Sequence, residues 1–229
     1  MRAIIGGTGF DSLDAITTES RTVTTPYGSV ELFESSDGLI FLPRHGADHR
    51  YPPHAIPYRA QIEALHQRGV KEVVAIYAVG SISDRLPPEA VGLVGDFVDF
   101  SGQVHTFSTE GEVLHTAVDA PFSTALQERA LAHNPDLTKD LLYVSTAGPR
   151  LETKAEIAFF ARQGFDVVGM TLAAEATLLA ERNIPTVALT YSINWAAGIG
   201  ADRLSFISDE TIAARKAEIT TLSLGILGY

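Results

Sequence analysis

The stretch FDVVGMTLAAEATLLAERNIPTVALTYSIN, residues 165–194, holds an apolar run, a helical pattern and a second apolar run in immediate succession. Residues 165–170 read as a buried strand, 172–182 as a helix and 186–192 as another buried strand. Repeated strand–helix alternation implies a largely parallel central sheet. Outward from this unit the pattern repeats. AIIGG (3–7) is a buried strand running into a glycine turn, EVVAIYAVGS (72–81) is a second, and LLYVSTAG (141–148) is another. Helices are predicted at 57–68 with Pro57 in the first turn, at 122–133, at Thr153–Arg162 and at 209–223, where Asp209 follows Ser208. SVELFES and GLIFLPR form a strand pair around the turn signal Ser36-Asp37-Gly38, which makes the sheet mixed. The expected fold is α/β: one domain over 1–229 with a mixed, largely parallel central sheet flanked by helices.

Bulk composition narrows the partners. Hydrophobic residues make up 45% and charged residues 20%, an ordinary globular balance. The formal charge of −11 argues against nucleic acid or an anionic membrane as the main partner. An anionic ligand would need a local cluster of donors. There is no cysteine, which excludes disulfides and thiolate metal sites. No apolar run reaches membrane-spanning length, and Met1–Gly7 is too short a start for a signal-peptide core. A cytoplasmic location is expected.

In such sheets ligands bind at the carboxyl ends of the strands. The predicted strands stop on Gly6-Gly7-Thr8-Gly9, Pro43-Arg44-His45-Gly46, Gly80-Ser81, Gly148-Pro149-Arg150-Leu151-Glu152, Gly169-Met170-Thr171 and Ser192-Ile193-Asn194. Backbone N–H groups of the first turn can wrap an anion, and the Thr8 hydroxyl adds a donor; a plain tight turn is the alternative. It is not a dinucleotide fingerprint, because Ser12 stands where the third glycine would fall, and no Gly-Lys-Ser/Thr follows. RHGADHR and PPHAIPYR gather Arg44, His45, His49, Arg50, His54 and Arg59. The histidines lack a zincin pattern and an acid pair, so no metal is expected. An anion site suits the cluster better, with Arg44 giving paired N–H donors to phosphate. No Gly-x-Ser-x-Gly elbow occurs.

GGTGF, PRHGADH, AVGS, AGPRLETKAE, GFDVVGMT and the strand ending at Asn194 stand in the order and spacing of one family. Over essentially the whole chain the sequence resembles the trimeric purine nucleoside phosphorylases and 5′-methylthioadenosine phosphorylases. The resemblance implies phosphate-dependent cleavage of a purine nucleoside to free base and sugar 1-phosphate. It implies a homotrimer, and no cofactor beyond inorganic phosphate as a substrate. By the same resemblance Thr8, Arg44, His45 and Thr171 would hold phosphate with the backbone around Ala78. Met170 would lie against the ribose, Leu151 on the base, and Glu152 and Asn194 at the base's polar edge, where they would act in catalysis. His115 would reach into a neighbouring subunit's site. Two positions depart from the family pattern: Ala174 stands before Glu175 in place of proline, and Pro88-Glu89-Ala90 replaces Pro-Gly-Asp.

The adenine-specific members resemble one another in a Thr-Asp-Tyr-Asp near this strand end, which TYSIN lacks, whereas the Glu152–Asn194 pair matches the 6-oxopurine enzymes. An ionised Glu152 can accept from the N1–H of hypoxanthine or guanine but would face a lone pair on adenine N1. The inosine and guanosine enzymes carry a histidine near the start of the last helix. All seven histidines here lie at 45–133, and the corresponding RLSFISDE offers Leu204, Phe206 and Ile207. An apolar pocket suits a methylthio group. The expected substrate is therefore 5′-methylthioinosine. The alternatives are 5′-methylthioadenosine, general 6-oxopurine nucleosides, or a non-catalytic purine-binding protein on the same fold.

Overall fold

The computed structural model describes residues 1–13, 16–109, 111, 115–200 and 205–229. Consecutive side chains of a strand point to opposite faces, so a strand covered on both sides must be apolar throughout. That is the state of β1 (Arg2–Gly6), whose Ile4 joins one core while Ala3 and Ile5 join the other. The same division splits β5 (Glu72–Ser81), with Val74 and Ile76 on one face and Ala75 and Tyr77 on the opposite one. The remaining strands are β2 (Thr18–Thr25), β3 (Gly28–Ser35), β4 (Leu39–Pro43), β6 (Val91–Asp99), β7 (Thr138–Ser145), β8 (Val167–Gly169) and β9 (Thr186–Trp195). Helices α1 (Tyr58–Gln67) and α4 (Leu172–Glu181) cover one face; α2 (Thr124–His133) and α5 (Asp209–Leu227) cover the other. A third cluster lies under α3 (Lys154–Arg162), through Ile157 and Phe160.

Parallel pairing runs β4–β1–β5–β9, and the antiparallel β3 and β2 extend the sheet beyond β4. β5 pairs with both β9 and β8, β8 with β7, β7 with β6, and β6 returns to β9. Five strands therefore close on themselves, and the sheet is mixed as expected. Helix ends follow their local signals. Ser208 caps α5 by accepting from the Thr211 N–H at 3.1 Å, and Gly228 ends it in the left-handed conformation. Thr153 and Glu156 form a capping box at α3.

Several boundaries differ from the sequence reading. Pro57 is the N-cap of α1, one position before its first turn. β7 begins at Thr138 rather than 141 because polar residues there pair with β6, and it ends before Thr146. β2 and β6 were not anticipated. β2 is an edge strand of mostly exposed polar residues with no apolar run to announce it. In β6, Gly92 and Gly95 interrupt the alternation where the register with β7 shifts. Leu204 lies outside the described residues. Among the described residues no helix is long and apolar enough to cross a membrane.

Gly169, at the end of β8, shows how tightly the closed strands are packed. A Cβ there would stand 2.0 Å from the Tyr143 hydroxyl and 2.7 Å from its ring carbon Cζ. Gly169→Ala should cost about 1–3 kcal/mol in urea unfolding through overpacking. Adding Tyr143→Phe should recover part of the loss in a double-mutant cycle, because the nearest clashing atom is then gone.

Candidate active site

The carboxyl ends of β1, β4, β5, β8 and β9 meet the loop after β7 around one cavity of about 210 Å³. Thr8, Arg44, His45, Ala78, Leu151, Glu152, Met170, Thr171, Asn194 and Phe206 all line it. The structure thus gathers these residues from seven separate segments. Two of the residues named from sequence do not line it. His115 is exposed on this chain and does not touch the cavity. Ile207 lies outside because an isolated antiparallel bridge pairs Phe206 with Asn194, while the Ile207 N–H donates to the Ile193 carbonyl at 2.8 Å. Neighbours on an extended segment face opposite ways, so only Phe206 reaches the cavity.

Of the basic cluster at 44–59, Arg44 and His45 turn inward, while His49, Arg50, His54 and Arg59 stay exposed. Arg44 is only 1% exposed. The paired donors expected for phosphate are already engaged: Nε and Nη2 bind the two oxygens of Glu175 at 2.5 and 2.8 Å, and Nη1 donates to the Ile76 carbonyl at 2.8 Å. Three of the five N–H groups are thereby used, which leaves one on Nη1 and one on Nη2. The guanidinium lies 4.4 Å from the Tyr77 ring centroid, and the Tyr77 hydroxyl donates to Glu175 at 2.9 Å. Burial alone would lower the Arg44 pKa, but the charge and hydrogen bond of Glu175 outweigh it and raise it above its ordinary value. Burial, then Glu175, raises Tyr77 well above the usual phenol range, so it is a neutral donor. Gly7 makes room for the arrangement, since a Cβ there would stand 2.3 Å from Arg44 Nη1.

His45 Nδ1 lies 2.8 Å from the Tyr51 carbonyl. A carbonyl only accepts, so Nδ1 carries the proton. Burial, followed by the Arg44 charge, lowers the His45 pKa and favours the neutral ring, whose Nε2 is then an acceptor. Thr171 is the N-cap of α4 without a side-chain cap bond, so its hydroxyl is not spent on the helix, while the backbone of Thr171 and Leu172 faces the Tyr143 hydroxyl. Thr8 is exposed at the turn, and its carbonyl accepts from the Tyr191 hydroxyl.

At the far end Glu152 precedes the α3 cap, and its Oε1 accepts from the Thr146 hydroxyl at 2.6 Å. Buried Asn194 donates one Nδ2 hydrogen to the Trp195 carbonyl at 2.7 Å. One N–H and the amide oxygen remain for a ligand. Arg150, between Pro149 and Leu151, turns away and pairs with Glu156 at 2.7 Å. Among the described residues that line the cavity, only Arg44, His45 and Glu152 carry titratable side chains. Among the described residues no group of three or more His, Asp or Glu side chains could hold a metal ion. Sequence reasoning missed Glu175, Tyr77 and Thr146 as contributors. The signal for Glu175 was there: it is the one acid among the apolar residues of LAAEATLLA, and a buried charge requires a partner.

The closed mixed sheet thus encloses a cavity with a buried arginine at one end and an acid–amide pair at the other. The chain belongs to the phosphorylase superfamily, whose sequence pattern matches residues 1–224. It is 39% identical over 204 residues to a protein named probable S-methyl-5′-thioinosine phosphorylase from Methanopyrus kandleri, covering 86% of this chain and 79% of that one. It is 34% identical over 235 residues to the 6-oxopurine nucleoside phosphorylase of Pyrococcus furiosus, covering 94% and 87%. A double mutant of the adenosine/methylthioadenosine phosphorylase from Schistosoma mansoni, solved with adenine, superposes with a TM-score of 0.89 at 25% identity, over 99% of this chain and 90% of that one.

Glu175→Ala would leave the buried Arg44 charge without its partner. A loss of about 3–5 kcal/mol in urea unfolding is expected, with Glu175→Gln intermediate. His45 gives a pH prediction. Its native pKa lies below the 6.5 of the free imidazole, so between those values the unfolded chain binds more protons. Stability is then lost as pH falls from about 6.5 toward the native pKa. His45→Gln should flatten that part of the curve of urea midpoint against pH.

Proposed function

We propose that this chain is a phosphorylase acting on S-methyl-5′-thioinosine, giving hypoxanthine and 5-methylthioribose 1-phosphate. A phosphate oxygen forms its bond to C1′ as the C1′–N9 bond breaks, and the electron pair leaves on the purine. In this reading phosphate sits against Thr8, Arg44, His45, the backbone at Ala78 and the start of α4 at Thr171. The two spare Arg44 N–H groups and the Thr171 hydroxyl donate to its oxygens, and neutral His45 Nε2 accepts from a protonated one. Met170 lies under the sugar and Leu151 against the base. Asn194 donates to O6 or N7, where negative charge grows on the departing purine. No cofactor takes part.

The observation that carries the reading is the polarity of the base end. Glu152 is the only acid lining the cavity among the described residues, and it already accepts from Thr146. Such a carboxylate accepts from an N1–H, which oxopurines have and adenine lacks. At the sugar end exposed Phe206 supplies an apolar surface, which suits a methylthio group better than a hydroxyl. The name of the Methanopyrus relative agrees with both features. The Pyrococcus relative favours a second reading with the same base and an ordinary ribose. The proposal includes a homotrimer in which His115 of one copy approaches a neighbour's site, and a cytoplasmic setting in keeping with a cysteine-free chain.

Phosphate-dependent base release from 5′-methylthioinosine should exceed that from inosine by roughly 10–100-fold in kcat/KM, the effect of burying a hydroxyl without a partner. 5′-Methylthioadenosine should rank below both. Equal turnover of inosine would select the ribose reading, and preference for the adenine nucleoside would overturn the oxopurine one. Light scattering at assay concentration should give three times the chain mass. A fully active monomer would contradict the shared site.

A further inference from the structure

Behind the carboxylate that faces the base lies a single hydroxyl. Thr146 follows the last residue of β7, is half-buried and does not itself line the cavity. Its backbone N–H donates to the Gly169 carbonyl at 2.8 Å, which anchors it to the end of β8. Its Oγ1 stands 2.6 Å from Glu152 Oε1 and 3.4 Å from the Gly169 oxygen. A threonine hydroxyl has one proton, and both neighbours can accept it. The shorter contact has the length of an O–H donating to a carboxylate. The reverse arrangement would have a protonated Glu152 donate to Thr146 and send the threonine proton to Gly169. At 3.4 Å that second bond lies outside ordinary O–H···O range.

We infer that Thr146 is a specificity-determining positioning residue, which holds Glu152 as a hydrogen-bond acceptor and so selects purines carrying a proton on N1. The inference rests on the reading that Glu152 meets the N1 edge of the base. With Oε1 engaged, Oε2 is the oxygen left to the ligand. A 6-oxopurine presents N1–H to it. A 6-aminopurine presents a lone pair, and its recognition would require Glu152 to donate, which Thr146 opposes. Removing the hydroxyl while keeping the side-chain shape takes away the donor that fixes Oε1, so the carboxylate can turn and no longer presents a fixed acceptor to N1–H.

The test measures kcat/KM for 5′-methylthioinosine and 5′-methylthioadenosine in wild type, Thr146→Val, Thr146→Ser and Glu152→Gln. Thr146→Val should lower the methylthioinosine value by roughly 10–100-fold, the range of a lost hydrogen bond to a carboxylate, while the methylthioadenosine value falls less or rises. Thr146→Ser, which keeps the hydroxyl, should restore the substrate ratio. Equal losses on both substrates in Thr146→Val would mean a purely structural role and would overturn the inference. A ratio unchanged in Thr146→Val but collapsed in Glu152→Gln would overturn it while leaving the reading of Glu152 intact. A ratio unchanged in Glu152→Gln would remove that reading, and the inference with it. Should valine prevent folding, Thr146→Ala is judged by the same ratio.

Discussion

The ion pair between Arg44 and Glu175 is the constraint around which the site is organised. Both side chains are 1% exposed, and a charge so deep persists only with its partner in place. Arg44 follows β4 and Glu175 lies in the first turns of α4, so the pair ties the end of the sheet to the helix whose N-terminus opens on the cavity. Ile76 and Tyr77, both in β5, hold the guanidinium and the carboxylate in turn. The glycine turn after β1 can approach only because Gly7 has no side chain. Three strands and one helix therefore converge on one fork of hydrogen bonds.

That arrangement bears on how a protein of net charge −11 could hold an anion. Glu175 offsets the charge of Arg44, and His45 is held toward neutrality, so little net positive charge faces the cavity. On the proposed phosphate reading, what remains is directed donation: two guanidinium N–H groups and the hydroxyls of Thr8 and Thr171. Donors fixed before a ligand arrives need no reorganisation. The opposite end follows the same logic with the polarity reversed, for Glu152 and Asn194 each spend one group on the protein and keep another free.

The closed ring of β5, β8, β7, β6 and β9 explains why distant segments share one cavity. An open sheet would spread its strand ends along a line. Closure folds β8 and β9 against the same end of β5, which sets Met170 and Asn194 beside Ala78. The tight fit of Gly169 against Tyr143 belongs to that closure.

Local patterning carried much of this in the sequence itself. Apolar runs at 3–5 and 73–77 announced buried strands, Ser208 and Thr153 announced helix starts, and the strand ends stopped on residues able to bind. Such features depend on neighbours a few positions apart, so they are readable in a line of letters. The edge strand β2 and the glycine-broken β6 were not readable, because pairing partners rather than their own side chains make them strands. Sequence alone offered Arg44 as a free fork for phosphate and placed Ile207 beside Phe206 in the pocket. Tertiary structure gave the fork to Glu175, which lies 131 residues away, and left Ile207 out of the cavity lining while the bridge brought Phe206 to Asn194. Those outcomes depend on which distant atoms packing brings within 3 Å, and no local period encodes that.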